Sequence, residues 1–416
     1  MKTQFISLSI MLSMLISIGC IAQEPKIDLK KAKIQQNHAV QANNEFALRL
    51  YDKLNTSKEF KSNSGNLFYG PYSITTALAM TYNGAAGNTK TEMARALNFI
   101  LDDTELNQAL AAIAKSMADN NKAKTYELDI ANALWLNNKE SFLKDFINTN
   151  QKYYDTAIKK LDFYAKAEES AAAINKWCAD NTNDKIKKIV EADNVRQAAL
   201  VLTNAIYFKG KWAIPFDPKK THEQDFYINP ETKVKTPLMY QKESFLFYSD
   251  ATAQLIELPY KGDNIVMNLI MPTDRQVDIS AIEKSLTAAK LDEYFKKMKI
   301  QKVRVSIPKF TMNFQAGLIE TFKSMGMKDA FTSKADFSGI NGHNNLLISD
   351  ILHKSFVEVN EEGTEAAAVT AVVMTKSAMP RMPSFVADRP FIFIIRDKGT
   401  GSILFIGKLS DPSKLK

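Results

Sequence analysis

The chain has 416 residues, 45% hydrophobic and 24% charged, with 54 Lys+Arg against 46 Asp+Glu; this is an ordinary globular composition, and the length alone suggests two or three domains. The net charge of +8 rests on scattered Lys, with only eight Arg, and lacks the clustered cations and interleaved aromatics of a nucleic-acid surface, so no nucleic-acid partner is expected. Two Cys, at positions 20 and 178, and four widely spaced His exclude a disulfide framework and a Cys/His zinc site, and no metal or cofactor is expected.

Lys2 is followed by an uncharged apolar run, Phe5 to Ile18, shorter than the roughly 18 to 20 residues that span a bilayer, so it reads as an export signal. Its end, Ser17-Ile18-Gly19-Cys20, resembles a bacterial lipobox that would make residues 1–19 the signal and Cys20 the lipidated first residue, although Ser17 stands where Leu is usual. Ordinary cleavage after Ala22 is the alternative. Removing residues 1–19 takes only Lys2 from the charge count and leaves +7. The stretch Gln23 to Gln41 is polar and Lys-rich without apolar period, so residues 20–42 are expected to be a flexible tether ahead of a single domain spanning 43–416. No second membrane-length run follows, and a lipid anchor would be the only membrane contact. The expected location is outside the cytoplasm, lipid-anchored at the cell envelope or surface, periplasmic or extracellular.

Helical period appears in Phe46, Leu48, Leu50 and Leu54, and again in Ile174, Trp177 and Cys178, continued by Ile186, Ile189 and Val190. Cys178 thus lies on an apolar helical face and is expected to be a buried free thiol. Strand character marks Leu128 to Leu136, Leu202 to Phe208, Gln254 to Leu258, Ile265 to Met271, Val303 to Ile307 and Phe391 to Ile395. Early helices followed by strands without regular βαβ spacing argue an α+β fold. No nucleophile elbow, His-Glu-x-x-His, phosphate loop or dinucleotide turn is present; His222-Glu223 is half a zincin motif, and Tyr82 to Asn88 reads as a turn.

One segment breaks local rules. Glu361-Glu362-Gly363-Thr364-Glu365-Ala366-Ala367-Ala368-Val369-Thr370 follows a strand-like stretch, Ser355 to Val359, and runs on through Val372, Val373 and Met374. Its Ala content favours helix, while its β-branched residues favour strand. Such conflict often marks a functional site. Read with period two, Thr364, Ala366, Ala368, Thr370, Val372 and Met374 form a charge-free face that could enter an existing sheet. The alternative is an exposed Ala-rich loop or short helix.

Residues 361–370 resemble the hinge of inhibitory serpins almost residue for residue. The resemblance covers about residues 43–412. Asn66-Leu67-Phe68-Tyr69-Gly70-Pro71-Tyr72-Ser73-Ile74 is similar to an early buried strand and helix start, and Thr203 to Trp212 with Pro215-Phe216 to the central-sheet strand ending in the family's Trp. Leu258 to Gly262, Ile307 to Phe310, Ala335 to Ile340, Asp388 to Phe391 and Phe405 to Gly407 resemble further signatures. The resemblance, to an exported bacterial member, implies the serpin fold: three β-sheets, about eight or nine helices and an exposed reactive-centre loop over about 361–385. It also implies a monomeric, non-enzymatic suicide inhibitor of serine, sometimes cysteine, proteases that traps the acyl-enzyme by inserting the cleaved loop into the central sheet.

Family spacing places the reactive bond at Ser377-Ala378, with Lys376-Ser377 one residue earlier as the alternative. The first suits elastase-like or subtilisin-like targets, the second a trypsin-like one. Ser73, Asn204 and His353 match the polar shutter closing the centre of the main sheet, with Gly70 standing where a Ser hydroxyl is common. Trp212 matches the breach, as either a structural aromatic or a gate. His38, His222 and His343 receive no role and are placed on the surface. Two competing functions are kept: a non-inhibitory serpin serving as chaperone or binding protein, disfavoured by the intact Thr364 to Thr370 run, and an enzyme or solute-binding lipoprotein, for which no motif is visible.

Overall fold

The computed structural model describes residues 29–57, 65–122, 124–154, 157–362 and 382–415. Cys20 and the rest of the export segment, residues 363–370 of the hinge, and both versions of the reactive bond (Lys376, Ser377, Ala378) lie outside the described residues.

The first described element, α1 (Leu29–Thr56), corrects one expectation. Residues 29–42 are helical, where a tether was expected, because the helix buries a stripe of Gln35, Ala39, Ala42 and Asn43 that continues into Phe46, Leu50 and Leu54. The spacing is that of an amphipathic helix. Small and amide side chains line its first half, so a search for large apolar residues misses it. Asn43 donates to the Ile403 carbonyl at 2.9 Å and to Ser402 Oγ at 3.2 Å, tying this stripe to the far end of the chain.

The strands are β1 (Leu67–Tyr69), β2 (Tyr126–Asn137), β3 (Ala157–Leu161), β4 (Leu200–Gly210), β5 (His222–Tyr227), β6 (Lys233–Ser249), β7 (Ala253–Pro259), β8 (Ile265–Pro272), β9 (Lys299–Pro308), β10 (Phe310–Gly317), β11 (Ile348–Val359), β12 (Ser384–Val386), β13 (Phe391–Asp397) and β14 (Ile403–Leu409). The six apolar runs read from sequence all lie within strands. Hydrogen bonding joins the strands into two sheets, in the orders β10-β11-β4-β2-β3 and β1-β14-β13-β8-β7-β6-β9-β12 with β5 on β6. Two sheets stand where three were implied because β6, 17 residues long, pairs in turn with β5, β9 and β7. Eleven helices, where eight or nine were implied, occur among the described residues, several of them single turns such as Ala192–Val195 and Ser338–Asn341.

The five-stranded sheet is covered on both sides. Its inner face, carrying Leu134, Leu202, Ile206 and Val357, joins the main core beneath α2 (Pro71–Tyr82). Its outer face, carrying Ala131, Ala133, Val201 and Ala205, packs against Ile174 and Cys178 of the helix Ala167–Asp180. That helix stops before Ile186, Ile189 and Val190, which the spacing had continued. Asn183 and Asp184 take positive φ, 48° and 57°, and a left-handed backbone ends a helix.

Candidate functional site

In the five-stranded sheet β2 and β4 are antiparallel, whereas β4 and β11 are parallel, in register from Val201/Asp350 to Phe208/Val357 after a bulge between Ile348 and Asp350. This parallel seam is the place where a strand running back from the end of β11 would be antiparallel to both neighbours. Antiparallel pairing is the somewhat more stable arrangement per residue.

At the middle of the seam His353 of β11 stands opposite Asn204 of β4, and Asn132 of β2 lies opposite Asn204 on the other side. Ser73 reaches the same point from α2. His353 Nε2 accepts from the Gly70 backbone N–H at 3.4 Å, which leaves Nδ1 carrying the proton that it donates to Asn204 Oδ1 at 2.5 Å. Asn204 Nδ2 donates to Ser73 Oγ at 2.5 Å and to Asn132 Oδ1. Asn132 Nδ2 donates in turn to the Ser73 carbonyl at 3.1 Å and to Thr76 Oγ1 at 2.9 Å. His353, Asn204 and Ser73 are buried, and none of their side-chain polar atoms is left without a partner, as a buried network requires. Burial holds the His353 imidazole far below its ordinary 6.5, at about 3, so it stays neutral in the fold.

The three predicted shutter residues are therefore brought together. Gly70 answers the absent hydroxyl: a Cβ there would meet Ile206 methyl carbons at 3.0 Å, and the backbone N–H serves the ring instead. Asn132 was missed. Its signal was an amide in the middle of the apolar run Leu128 to Leu136, which is costly inside a sheet unless the amide is bonded.

The upper end of the seam is aromatic. Trp212, two residues past β4, is buried, stacks on Tyr260 with centroids 4.4 Å apart and planes 11° apart, and meets Phe216 edge-on. Its indole N–H donates to the Asn360 carbonyl at 2.9 Å, and the Phe216 N–H donates to the Glu361 carbonyl at 2.8 Å. The chain leaving β11 is thus bonded across the mouth of the seam at the first residues of the hinge. Glu361 is buried and paired with Lys309 at 2.9 Å. Burial alone would push its carboxyl up, but the Lys309 ammonium and backbone hydrogen bonding outweigh it and hold it below its ordinary value. Glu362 is exposed.

A strap crosses the outer face of the seam. Asn183 donates to Asp129 of β2 at 2.8 Å, the Lys185 ammonium lies 6.0 Å and 5.8 Å from the rings of Tyr207 and Phe356, Lys354 Nζ donates to the Lys188 carbonyl at 2.7 Å, and Gln315 Nε2 donates to the Ile189 carbonyl at 3.4 Å. Tyr207 and Phe356 face each other across β4 and β11, so Lys185 bridges the two strands of the seam. Cys178 is a buried free thiol in the same layer, pushed up to about 12 by burial. Among the unassigned histidines, His222 and His343 are exposed and His38 is half-buried. No group of three His, Cys, Asp or Glu among the described residues is placed to hold a metal.

A family model described as Serpin (serine protease inhibitor) matches residues 41–412. The leukocyte elastase inhibitor of Bos taurus is 37% identical over 380 residues, 89% of this chain and 98% of that protein. A serpin-like protein of Methanosarcina acetivorans is 35% identical over 428 residues, covering 98% of this chain and 96% of the other. The crystal structure of native protease nexin-1 with heparin superposes with a TM-score of 0.80 at 29% identity, over 91% of this chain and all of that one.

Proposed function

The chain belongs to the serpin family, and on that premise we propose that it is a suicide inhibitor of serine endopeptidases. What carries the reading is a juxtaposition. Glu361 is bonded at the mouth of the parallel seam, and the charge-free, mostly small face from Thr364 to Met374 begins three residues later.

In this reading the protease serine attacks the carbonyl of residue 377. The peptide bond to Ala378 breaks, an ester joins Ser377 to the enzyme, and a new amino terminus is left on Ala378. Freed from its downstream anchor at β12, the segment from Gly363 turns back between β11 and β4. β11 has 12 residues, so 12 residues from Gly363 match it in length. The one parallel ladder is exchanged for two antiparallel ones. The net gain is about one ladder, on the order of 10 kcal/mol at roughly 1 kcal/mol per bond. The shutter and the strap keep the seam closed until cleavage, so the starting state is held by a barrier. Gly363, without a Cβ, supplies the turn.

The name of the bovine relative and the residues around Ser377 support elastase-like or subtilisin-like targets, with Lys376-Ser377 as a trypsin-like alternative. The test is to incubate the protein with elastase, subtilisin and trypsin and separate the products on denaturing gels. A covalent adduct larger than either partner is expected with at least one enzyme, and clipping without adduct by all three would refute inhibition. Mass spectrometry of the C-terminal fragment identifies the bond. Thr364→Arg should yield clipped product in place of adduct, because a guanidinium on the inward face cannot be buried unpaired; an adduct retained in that variant would refute insertion. Export and lipidation rest on residues 1–22, and Cys20-dependent incorporation of labelled palmitate is their test.

A further inference from the structure

Strands β6 and β9 pair antiparallel with Lys242 directly opposite Arg304 and Ser244 opposite Lys302. All four are exposed, whereas Val303, between Lys302 and Arg304, and Val305, just after them, are buried. Like charges directly opposite on an antiparallel pair destabilise it. Neither Lys242, Lys302 nor Arg304 makes an ion pair among the described residues, although ion pairs are common elsewhere on the surface, for example Lys233 and Lys235 on Asp225. Next along the same face is Ile300, 75% exposed and the most exposed large hydrophobic of the described residues. A repulsive cation cluster costs the strand pair stability and contributes nothing to the core, a cost that an acidic partner laid over it would relieve.

The patch adjoins the reactive loop. β12 pairs with β9 at Ser384/Arg304, and the Arg304 N–H donates to the Pro383 carbonyl at 3.0 Å. Ala378 lies six residues before Ser384, and six residues of extended chain reach at most about 20 Å. A protease of ~240 residues has a radius of gyration of about 18 Å, so an enzyme seated on the reactive bond has the patch within reach of its surface.

We propose that Lys242, Lys302 and Arg304, flanked by Ile300, form a secondary docking surface for an acidic region of the target protease, which selects targets by surface charge as well as by the residue before the cut. The inference rests on the inhibitory reading. Complementary charge at the rim of an interface acts mainly on the rate of encounter. Because the three cations are exposed, their field is screened within about 8–10 Å at physiological salt.

The probe is a subtilisin-type protease in two forms, one with its surface lysines acetylated, which neutralises them, and one with them succinylated, which replaces each ammonium by a carboxylate. Trapping rates are normalised to hydrolysis of a small neutral substrate. At low salt the succinylated form should be trapped about tenfold faster than the acetylated one, and the advantage should vanish in high salt. The triple variant Lys242→Glu, Lys302→Glu, Arg304→Glu should reverse the preference, and the Gln triple should abolish it; the Glu triple keeps a like-charge pair and should melt close to the natural protein, whereas the Gln triple removes it and should melt no lower. A ratio near one for the natural protein, or an undiminished ratio in the Glu triple, overturns the proposal. If neither form is trapped, the comparison is read by equilibrium binding to the two forms with their catalytic serine blocked. Binding to the succinylated form that the Glu triple loses then supports the docking surface while refuting inhibition; binding indifferent to charge, or none, overturns the surface.

Discussion

The shutter carries a pH signature. His353 is wholly buried and its imidazole is held by burial at about 3 rather than 6.5. Above pH 6.5 the ring is neutral in both folded and unfolded chains, so the group's full contribution to stability is present. As the pH falls through 6.5 the unfolded chain binds a proton that the native one refuses until about pH 3, and stability is lost across that window at up to about 1.4 kcal/mol per pH unit. Between pH 7 and pH 5 this one group removes about 2 kcal/mol. The structure supplies the reason for the refusal: Nε2 accepts from the Gly70 N–H, and a protonated ring would point a second donor at that donor. The assay is urea unfolding of the natural protein and His353→Gln at both pH values, followed by tryptophan fluorescence. Carboxylates and the other three histidines are common to both proteins, so the difference between the two pH-induced losses isolates His353. A loss larger by about 2 kcal/mol in the natural protein is expected. Equal losses would refute the reasoning, because they would mean that the ring titrates as freely in the seam as in the unfolded chain.

Trp212→Ala removes the stack on Tyr260 and the bond to the Asn360 carbonyl; it should cost about 3–5 kcal/mol in unfolding experiments and speed hydrogen exchange at residues 360–362. Gly407→Ala places a Cβ 2.3 Å from Phe393 Cζ and 2.7 Å from the Leu67 carbonyl oxygen, an overpacking worth about 1–3 kcal/mol, visible as a lowered melting temperature. Cys178, buried and with its thiol pushed up to about 12, should resist alkylation by iodoacetamide at pH 8 in the native protein and react promptly in urea; equal rates in the two states would contradict the packing of its helix on the sheet.

What was legible in the sequence followed the strength of local pattern. Strands β4, β8 and β13 are rich in large apolar residues, interrupted before their ends only at Thr203-Asn204 and Asn268, and buried strands of that kind announce themselves. The shutter residues were legible only through family likeness, since Ser73, Asn204 and His353 are 131 and 149 positions apart along the chain and no local spacing ties them. Asn132, which closes the same network, was legible in principle as a polar residue in an apolar strand. The first turns of α1 were not, because their buried side is built from Gln35, Ala39, Ala42 and Asn43. The strap over residues 181–190 was misread as continued helix because Ile186, Ile189 and Val190 keep helical spacing while their backbone is turned aside at Asn183 and Asp184. The cationic patch was hidden by composition. Lys scattered in sequence become neighbours when β6 and β9 pair, and only the register sets Lys242 opposite Arg304.

The two faces of the seam are held by different chemistry, and that difference determines how it can open. On the inner face the strands are joined by directional bonds among Ser73, Asn132, Asn204 and His353, amid Leu, Ile and Phe side chains. Breaking one bond of a buried network leaves its partners unsatisfied at about 1–3 kcal/mol each, so partial opening is penalised and the network yields nearly all at once. On the outer face the covering layer sets Ile174, Cys178, Ile186, Ile189 and Val190 against Ala131, Ala133, Val201 and Ala205, apolar contact whose energy follows the area buried and carries no direction. Lys185, Lys354 and Asn183 tie the margin of that layer, side chains that can let go singly and re-form. For the insertion proposed above the asymmetry has a use: a cooperative catch inside sets the barrier, and a cover without directional bonds at its centre can shift over the sheet and repack without leaving a polar group unpaired.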